Sequence, residues 1–502
     1  MPNRRWFNAP FLSIPTLLPA LLLTAHGCSG PSGGPGLDCI TVDDLRADVF
    51  ALADDEFLGR EAGTLDELRA AAWVAEMARE VGLEPAGEDG SYFQFFPLRR
   101  TRVSDGSVIQ MGEERYEVWQ DAIVLSPVDV SVDGAMVWVG ETPASEIDRS
   151  RIQGRPVAAM VVSPSNPPAP DVRLWEWRYS MAAVRERSRA LLEQGASAVV
   201  LVSDSITDAA FDLTARWQMR GQIRADDPTV GRPISHQPPV IWVRADGLPE
   251  VSRGQRLYAL ISTESFVFPS ANVVAAVPGT DPAVGGEYVL FSAHHDHDGV
   301  RFPVDGDSIY NGADDNASAC AALLAIGRAF VGHPGRRGAL FVWHGAEEKG
   351  LVGSRWYAAN PTLPPASIVA VLNADMISRN APDSAAILGM LPPHRNSTRL
   401  VEMALAANEE VAGFALDTLW DQPDHPEGFY FRSDHAPYAQ AGIPALFYTS
   451  LLHADYHTPR DESETLDFDK LLRFTRWMYA TGWRVAQADQ APGIDEGWEY
   501  RR

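Results

Sequence analysis

The sequence predicts an α/β protein: a central mixed, mostly parallel sheet covered by helices on both faces, interrupted by an inserted, mainly β domain. Three observations carry this expectation. From Asn272 onward, apolar strand patterns alternate with helical ones. Polar clusters follow those strands, and ligands gather beyond the carboxyl ends of strands in such sheets. Between about Val118 and Thr263 the texture changes to short apolar runs broken by polar turns. A chain of 502 residues is also too long for one ordinary core, so two domains or more are expected.

Taken in order, the first 28 residues read as an export signal. Arg4 and Arg5 precede "FLSIPTLLPALLLTA", an apolar run too short and too proline-broken to span a bilayer. Its end, "TAHGC", fits ordinary cleavage near Ala25 and Gly27, or a lipoprotein box with lipidation at Cys28. The expected location is therefore the bacterial periplasm, the cell envelope through a lipidated Cys28 as membrane tether, or the medium. Residues 29–40, with "SGPSGGPG", read as a flexible tether. Residues 41–117 and 264–490 are assigned to one catalytic domain and 118–263 to the insert.

A helical pattern runs from Asp43 to about Leu83. Leu65, Leu68, Ala72, Ala75 and Met77 or Ala78 stand near helical spacing, with Thr64 as cap and Gly82 as stop. The insert offers the runs "AMVWVG", "VAAMVVS", "SAVVLVS" and "PPVIWVR" around one helix, "AAVRERSRALLEQGA". Its Trp175, Trp177 and Trp217 are expected to pack inside it, with the lining of a cleft near the site as the alternative. After Asn272 the strands are "NVVAAVPG", "EYVLFSA", "GALFVWHGA", "SIVAVLNAD" and "PALFYTS"; the helices are "NASACAALLAIGRAF", "GSRWYAAN", "STRLVEMALAANEEV" and "DFDKLLRFTRWMYATGWRVA".

The net charge of −25 disfavours nucleic acid as a partner and serves solubility. Three cysteines cannot make a disulfide scaffold. Cys320, in an apolar helical run, is expected as a buried thiol, and whether it meets Cys39 is not decided by sequence.

Five polar clusters remain: "HHDH" (His294 to His297), "NGADDNAS" (Asn311 to Ser318), "HGAEEKG" (His344 to Gly350), "LNADM" (Leu372 to Met376) and "HADYHTPRDE" (His453 to Glu462). One such cluster would pass as a solvated turn or a helix cap. Five at one sheet edge, rich in imidazole and carboxylate, suit a zinc-type metal site. A metal pair about 3.5–4 Å apart needs a bridging carboxylate, and a carboxylate that does not ligate must carry the proton.

The run "SAHHDH…GADDNAS…GAEEKG…NADM…DYHTP" resembles the two-zinc aminopeptidases of metallopeptidase clan MH. "LADDEFLGREAGT" and "EVGLEPAGEDGSYFQFFPL" resemble the segment before the insert in secreted bacterial members, and "GASAVVLV" resembles a protease-associated domain. The resemblance implies two zinc ions per chain. It implies that His294 and Asp375 hold one metal, Glu348 and His457 the other, and that Asp315 bridges them. Glu347 would be the general base, and Asp296 would orient His294 from outside the ligand set. His295, His297 and His453 are expected to be solvated or supporting rather than ligands. Asp434, His435 and Tyr448 are candidate substrate or oxyanion contacts, although for Tyr448 a strand aromatic in the core is the favoured reading. Ala319 stands where the family usually has glycine.

The activity so implied is removal of the N-terminal residue from a peptide substrate. Carboxyl-end cleavage is the alternative and needs a cationic clamp, for which Arg379, Arg432 and Arg460 are candidates. Glutaminyl cyclisation would use one metal. An inactive binding protein is the reading of another class, and it does not account for a complete ligand set.

Overall fold

The computed structural model describes residues 33–168, 174–227 and 238–501; the export signal, Cys28 and the first residues of the tether lie outside them. The central sheet follows one path through nine strands: β1 (Phe93–Val103), β2 (Gln222–Ala225), β3 (Thr263–Val277), β4 (Tyr288–His294), β5 (Gly338–His344), β6 (Ile368–Ala374), β7 (Ser384–Leu388), β8 (Ala415–Leu416) and β9 (Ala445–Thr449). Their order is β2-β1-β3-β5-β4-β6-β9-β7-β8, and the short Glu84–Pro85 pairs with β3 at one end. β5, β4, β6 and β9 are mutually parallel. The flanks β2/β1, β1/β3, β3/β5 and β9/β7 are antiparallel. The expected mixed α/β sheet is thus present, with parallel pairing concentrated at its centre. The antiparallel ribbon has a topological cause: the chain leaves for the insert along β1 and returns along β3, so the two strands run opposite ways.

Helices cover both faces. On one face lie α1 (Val42–Leu52), α2 (Leu65–Val81), α5 (Ala319–Gly332), α7 (Thr398–Ala407) and α9 (Phe468–Gln487). They bury Val49, Val74, Leu323, Leu400 and Trp477 against Val289, Phe291, Phe341 and Leu372. On the other face α6 (Val352–Ala359) and α8 (His435–Gln440) pack Tyr357 and Tyr438 against Leu290, Leu340 and Val371. The central strands are buried on both faces, which is why they read as unbroken apolar runs.

The insert departs from the expected one. Val108–Met111, assigned above to the catalytic domain with Glu114–Tyr116, pairs with Glu114–Tyr116 on one side and Arg256–Ile261 on the other in a four-stranded antiparallel sheet. The insert therefore begins once β1 ends at Val103, not at Val118. Its second sheet runs Ala122–Val124, Val240–Val243, Ala198–Val202, Pro156–Met160, Val137–Gly140, parallel after the first pair. It packs on α3 (Trp175–Glu193) and α4 (Phe211–Met219), so the insert is itself α/β. β2, inside the insert's sequence, returns to pair with β1 of the central sheet.

The tether reading fails for its second half. Gly36 donates its N–H to the Tyr479 hydroxyl at 3.0 Å, and Leu37 and Ile40 are buried. A Cβ at Gly36 would lie 2.6 Å from that hydroxyl, so glycine there permits docking rather than freedom.

α2 begins and ends as expected: Thr64 accepts from Glu67 N–H, and Gly82 closes the helix in the left-handed region. The buried stripe is offset, however, to Glu67, Ala70, Ala71, Val74, Ala75 and Ala78, while Leu65 is 72% exposed. Glu67 is wholly buried, accepting from Gly63 N–H at 2.5 Å and from the Ser270 hydroxyl. Burial, and then the nearby Asp296 charge, push its pKa from 4.5 up to about 8. A carboxyl raised in the folded state stabilises fully below its unfolded pKa, and that stability is lost as pH rises from about 4.5 to about 8. Glu67→Gln keeps both bonds, since Ser270 can rotate to accept. The variant should flatten the fall in Tm over this window and gain up to ~5 kcal/mol at its upper end, at 1.36 kcal/mol per pKa unit. Calorimetric unfolding from pH 5 to 8.5 checks this; parallel profiles for the two proteins would show that Glu67 is charged throughout.

Candidate metal centre

Parallel pairing of β4, β5 and β6 brings their carboxyl ends to one edge, with His294 in register with His344. His294 ends β4, Asp375 follows β6 directly, and Glu347 and Glu348 lie in the turn after β5. Asp315 stands at the entry to α5, and His457 on the loop between β9 and α9. Three of these loops carry non-glycine residues at positive φ: Ala346 (56°), Met376 (54°) and His457 (52°). Such backbone costs of order 1–3 kcal/mol per residue and persists only when the surroundings over-determine it.

The side chains converge. His294 Nε2 lies 3.3 Å from Asp315 Oδ1 and 3.4 Å from Asp375 Oδ1. His457 Nε2 lies 3.2 Å from Asp315 Oδ2 and 3.3 Å from Glu348 Oε1. Asp315 thus offers one oxygen to each of two donor groups. Glu347 stands with His294 and Asp375, their ligand atoms within 4.8 Å of one another. Among the described residues, Asp315, Glu347, Glu348 and Asp375 meet no Arg or Lys within ion-pair distance. His294 Nε2 and Asp375 Oδ1 are buried without a hydrogen-bond partner. Converging anionic and imidazole donors with unused lone pairs fit zinc.

The surrounding bonds aim these donors. Ser433 donates to Asp375 Oδ2 at 2.9 Å, is itself held by Asn373, and leaves Oδ1 for the site. Asp298 Oδ2 lies 3.0 Å from His457 Nδ1, and Arg301 donates to Asp298 Oδ1 at 2.7 Å. Asp461 accepts from the N–H groups of Asp314 and Asp315, and Asn316 bonds Ala374 O and Met376 N–H. Arg60 is fully buried and donates to four carbonyls: Leu52, His295, Asn311 and Gly312. It ties the loop after β4 to the loop before α5.

Asp296 acts differently from expectation. Its carboxylate accepts from the N–H groups of Glu347 (2.9 Å) and Glu348 (3.3 Å), while its backbone carbonyl meets His294 Nδ1 at 3.1 Å. It grips the glutamate turn as well as the imidazole. His295 and His297 are fully buried, which excludes the solvated reading: His295 bonds Ala271 O, and His297 Nδ1 bonds Glu348 Oε1 at 3.0 Å. His453 is buried too, 3.6 Å from Asp314.

Two candidate contacts lie outside the site. The Tyr448 hydroxyl donates to Thr481 on α9, and its ring packs edge-on to Trp477, because its position on β9 points to the α9 face. His435 packs against Tyr430 and Phe447 in an apolar cluster, and burial lowers its pKa to about 3. Asp434 is buried close enough to feel His294 and Asp375, and burial raises its pKa to about 7. Burial likewise raises Glu347 well above the usual range, with His294 opposing and Glu348 reinforcing. At His294, burial alone would lower the pKa, but Asp375 and Glu347 carry it well above 6.5. Cys320 is a buried thiol that donates to His294 O, pushed up to about 12 by burial, and it does not bridge to Cys39. Arg379, Arg432 and Arg460 are engaged with Asp455, Glu427 and Asp305 respectively.

Residues 272–481 match the family model of peptidase family M28. An uncharacterized protein, YfbL, of Escherichia coli (strain K12) is 27% identical over 231 residues, 40% of this chain and 67% of its own length. Leupeptin-inactivating enzyme 1 of Streptomyces exfoliatus is 34% identical over 178 residues, 34% of each chain. Leucine aminopeptidase 1 of Penicillium rubens is 26% identical over 246 residues, covering 45% of this chain and 60% of the relative. The chain thus spans between a third and two thirds of these relatives. In fold it is similar to an aminopeptidase from Aneurinibacillus sp. strain AM-1: TM-score 0.55 and 17% identity, covering 93% of this chain and 99% of the other. It is similar also to a zinc aminopeptidase from Bacillus subtilis: TM-score 0.55 and 16% identity, covering 92% and 99%.

Proposed function

We propose that this chain is a zinc-dependent peptidase of the M28 type, an exported aminopeptidase that holds two zinc ions and removes the N-terminal residue of peptides. The observation that supports a pair is Asp315, whose two oxygens face different donor groups. In this reading His294 and Asp375 hold one zinc, Glu348 and His457 the other, and Asp315 both. The zinc ions, when bound, supply Lewis acidity at the scissile carbonyl and lower the pKa of water. Glu347 takes the proton of the attacking water and returns it to the leaving amine. Asp296 holds the Glu347 turn in place, Ser433 orients Asp375, and Asp298 orients His457. The basic start, apolar run and "TAHGC" support export, and mass analysis of the mature N terminus separates a lipidated Cys28 from plain cleavage.

The deciding experiment combines metal content with hydrolysis of N-terminal amino-acid amides and N-blocked controls. About two zinc per chain with turnover confined to free amino ends is the expected result. Cleavage of blocked peptides from the carboxyl end would instead establish carboxypeptidase action. No metal and no turnover after adding zinc would leave a binding protein.

A further inference from the structure

A cavity with a volume of about 210 Å³ lies against the metal centre. Its wall brings Arg100 of β1, Arg220 from the end of α4, Arg301 and Lys349 beside Glu348 and His457. The insert takes part directly. Trp217 of α4 also lines the wall, and the Arg301 guanidinium sits over its ring at 4.8 Å. At this position the cleft-lining alternative holds rather than core packing.

The charge balance of the wall favours an anion. Arg220 pairs with Glu61, and Arg301 with Asp298, which is occupied with His457 as well. Glu348 belongs to the metal centre. Arg100 donates Nε–H to Arg220 O, and among the described residues neither Arg100 nor Lys349 has a carboxylate within ion-pair distance. The Arg301 side chain is only 6% exposed, yet its Nε has no acceptor. A buried guanidinium N–H without an acceptor is costly, and a planar carboxylate is the group that matches its fork.

We propose that this cavity is a subsite for a carboxylate on the leaving portion of the substrate. The inference rests on the aminopeptidase reading. A substrate's ammonium is repelled by the arginines of this cavity, so the cavity sets the polarity of binding. The carboxylate has two sources: the chain terminus of a dipeptide, or an Asp or Glu side chain just after the scissile bond.

Calorimetric binding to the zinc-loaded Glu347→Gln protein tests this with two ligand pairs. Leucylglycine against leucylglycine amide reads the terminal carboxylate; leucylglutamate amide against leucylglutamine amide reads the side chain. In at least one pair the anion should bind about 10–100-fold tighter, as expected for a charge-assisted bidentate contact. That advantage should shrink roughly tenfold in Arg100→Gln or Lys349→Gln. The pair that shows it identifies the source. Equal binding within both pairs overturns the proposal, and so does an advantage that both variants leave intact. The products formed by the active zinc-loaded protein are read separately. Release from the carboxyl end would overturn the aminopeptidase reading while the binding comparison still judged the cavity.

Discussion

Glu347→Gln should abolish nearly all turnover, by about 10²–10⁴-fold in kcat, while leaving metal content and KM close to those of the parent. The carboxamide has the same shape but cannot accept a proton. Glu347 suits the role because it is the uncommitted member of its pair. Glu348 Oε1 is already within 3.0 Å of His297 and 3.3 Å of His457, whereas no side-chain hydrogen bond holds Glu347 among the described residues. The backbone N–H of Glu347 is anchored by Asp296, so the substitution disturbs no other contact. Metal analysis beside steady-state kinetics checks the outcome. A variant with the parent's rate would remove Glu347 from the mechanism, and one stripped of metal would make it a ligand.

Asp315→Ala should fail differently, losing metal as well as activity. Its two oxygens are the shared members of both donor groups, so each group falls to two protein donors. Three is the usual number for a catalytic zinc. The loss in metal affinity should exceed the ~10–100-fold typical of removing an outer hydrogen-bond partner. Ser433→Ala supplies that milder case, since Ser433 reaches the site only through Asp375 Oδ2. Zinc retained after dialysis, measured for both variants and the parent, gives the ranking. If Asp315→Ala keeps as much zinc as Ser433→Ala, Asp315 bridges nothing.

The side chains that converge at this edge were legible because their chemistry is carried in short, ordered motifs. "HHDH" and "GAEEKG" each place a donor within a few residues of a strand end, where an α/β sheet gathers its ligands, and "GADDNAS" places one at the entry to a helix. What orients them was not legible. Arg60 joins carbonyls separated from it by 8 to 252 positions, and Ser433 and Asp461 act on residues 58 and 146 positions away. Asp298 lies one residue past "HHDH", and nothing local distinguishes it from a solvated turn residue; its partner His457 is brought by a distant loop. Tyr448 is the core aromatic that its strand position suggested, whereas His435 was misplaced: sequence puts it near the site along the chain but says nothing about which face of the sheet it enters.

The sequence by itself determined the α/β core, the five polar clusters and the helix caps at Thr64 and Gly82, because local periodicity and capping chemistry act within a few residues. Tertiary structure alone decided that the insert begins after Val103 and returns β2 to the central sheet, since strand pairing joins positions more than 100 residues apart. It also decided that residues 33–40 dock on α9, and that Trp217 and Arg220 of the insert stand beside His457 in one cavity. Those contacts follow from which surfaces the folded layers bring together, and one stretch of chain carries no record of the surface it will meet.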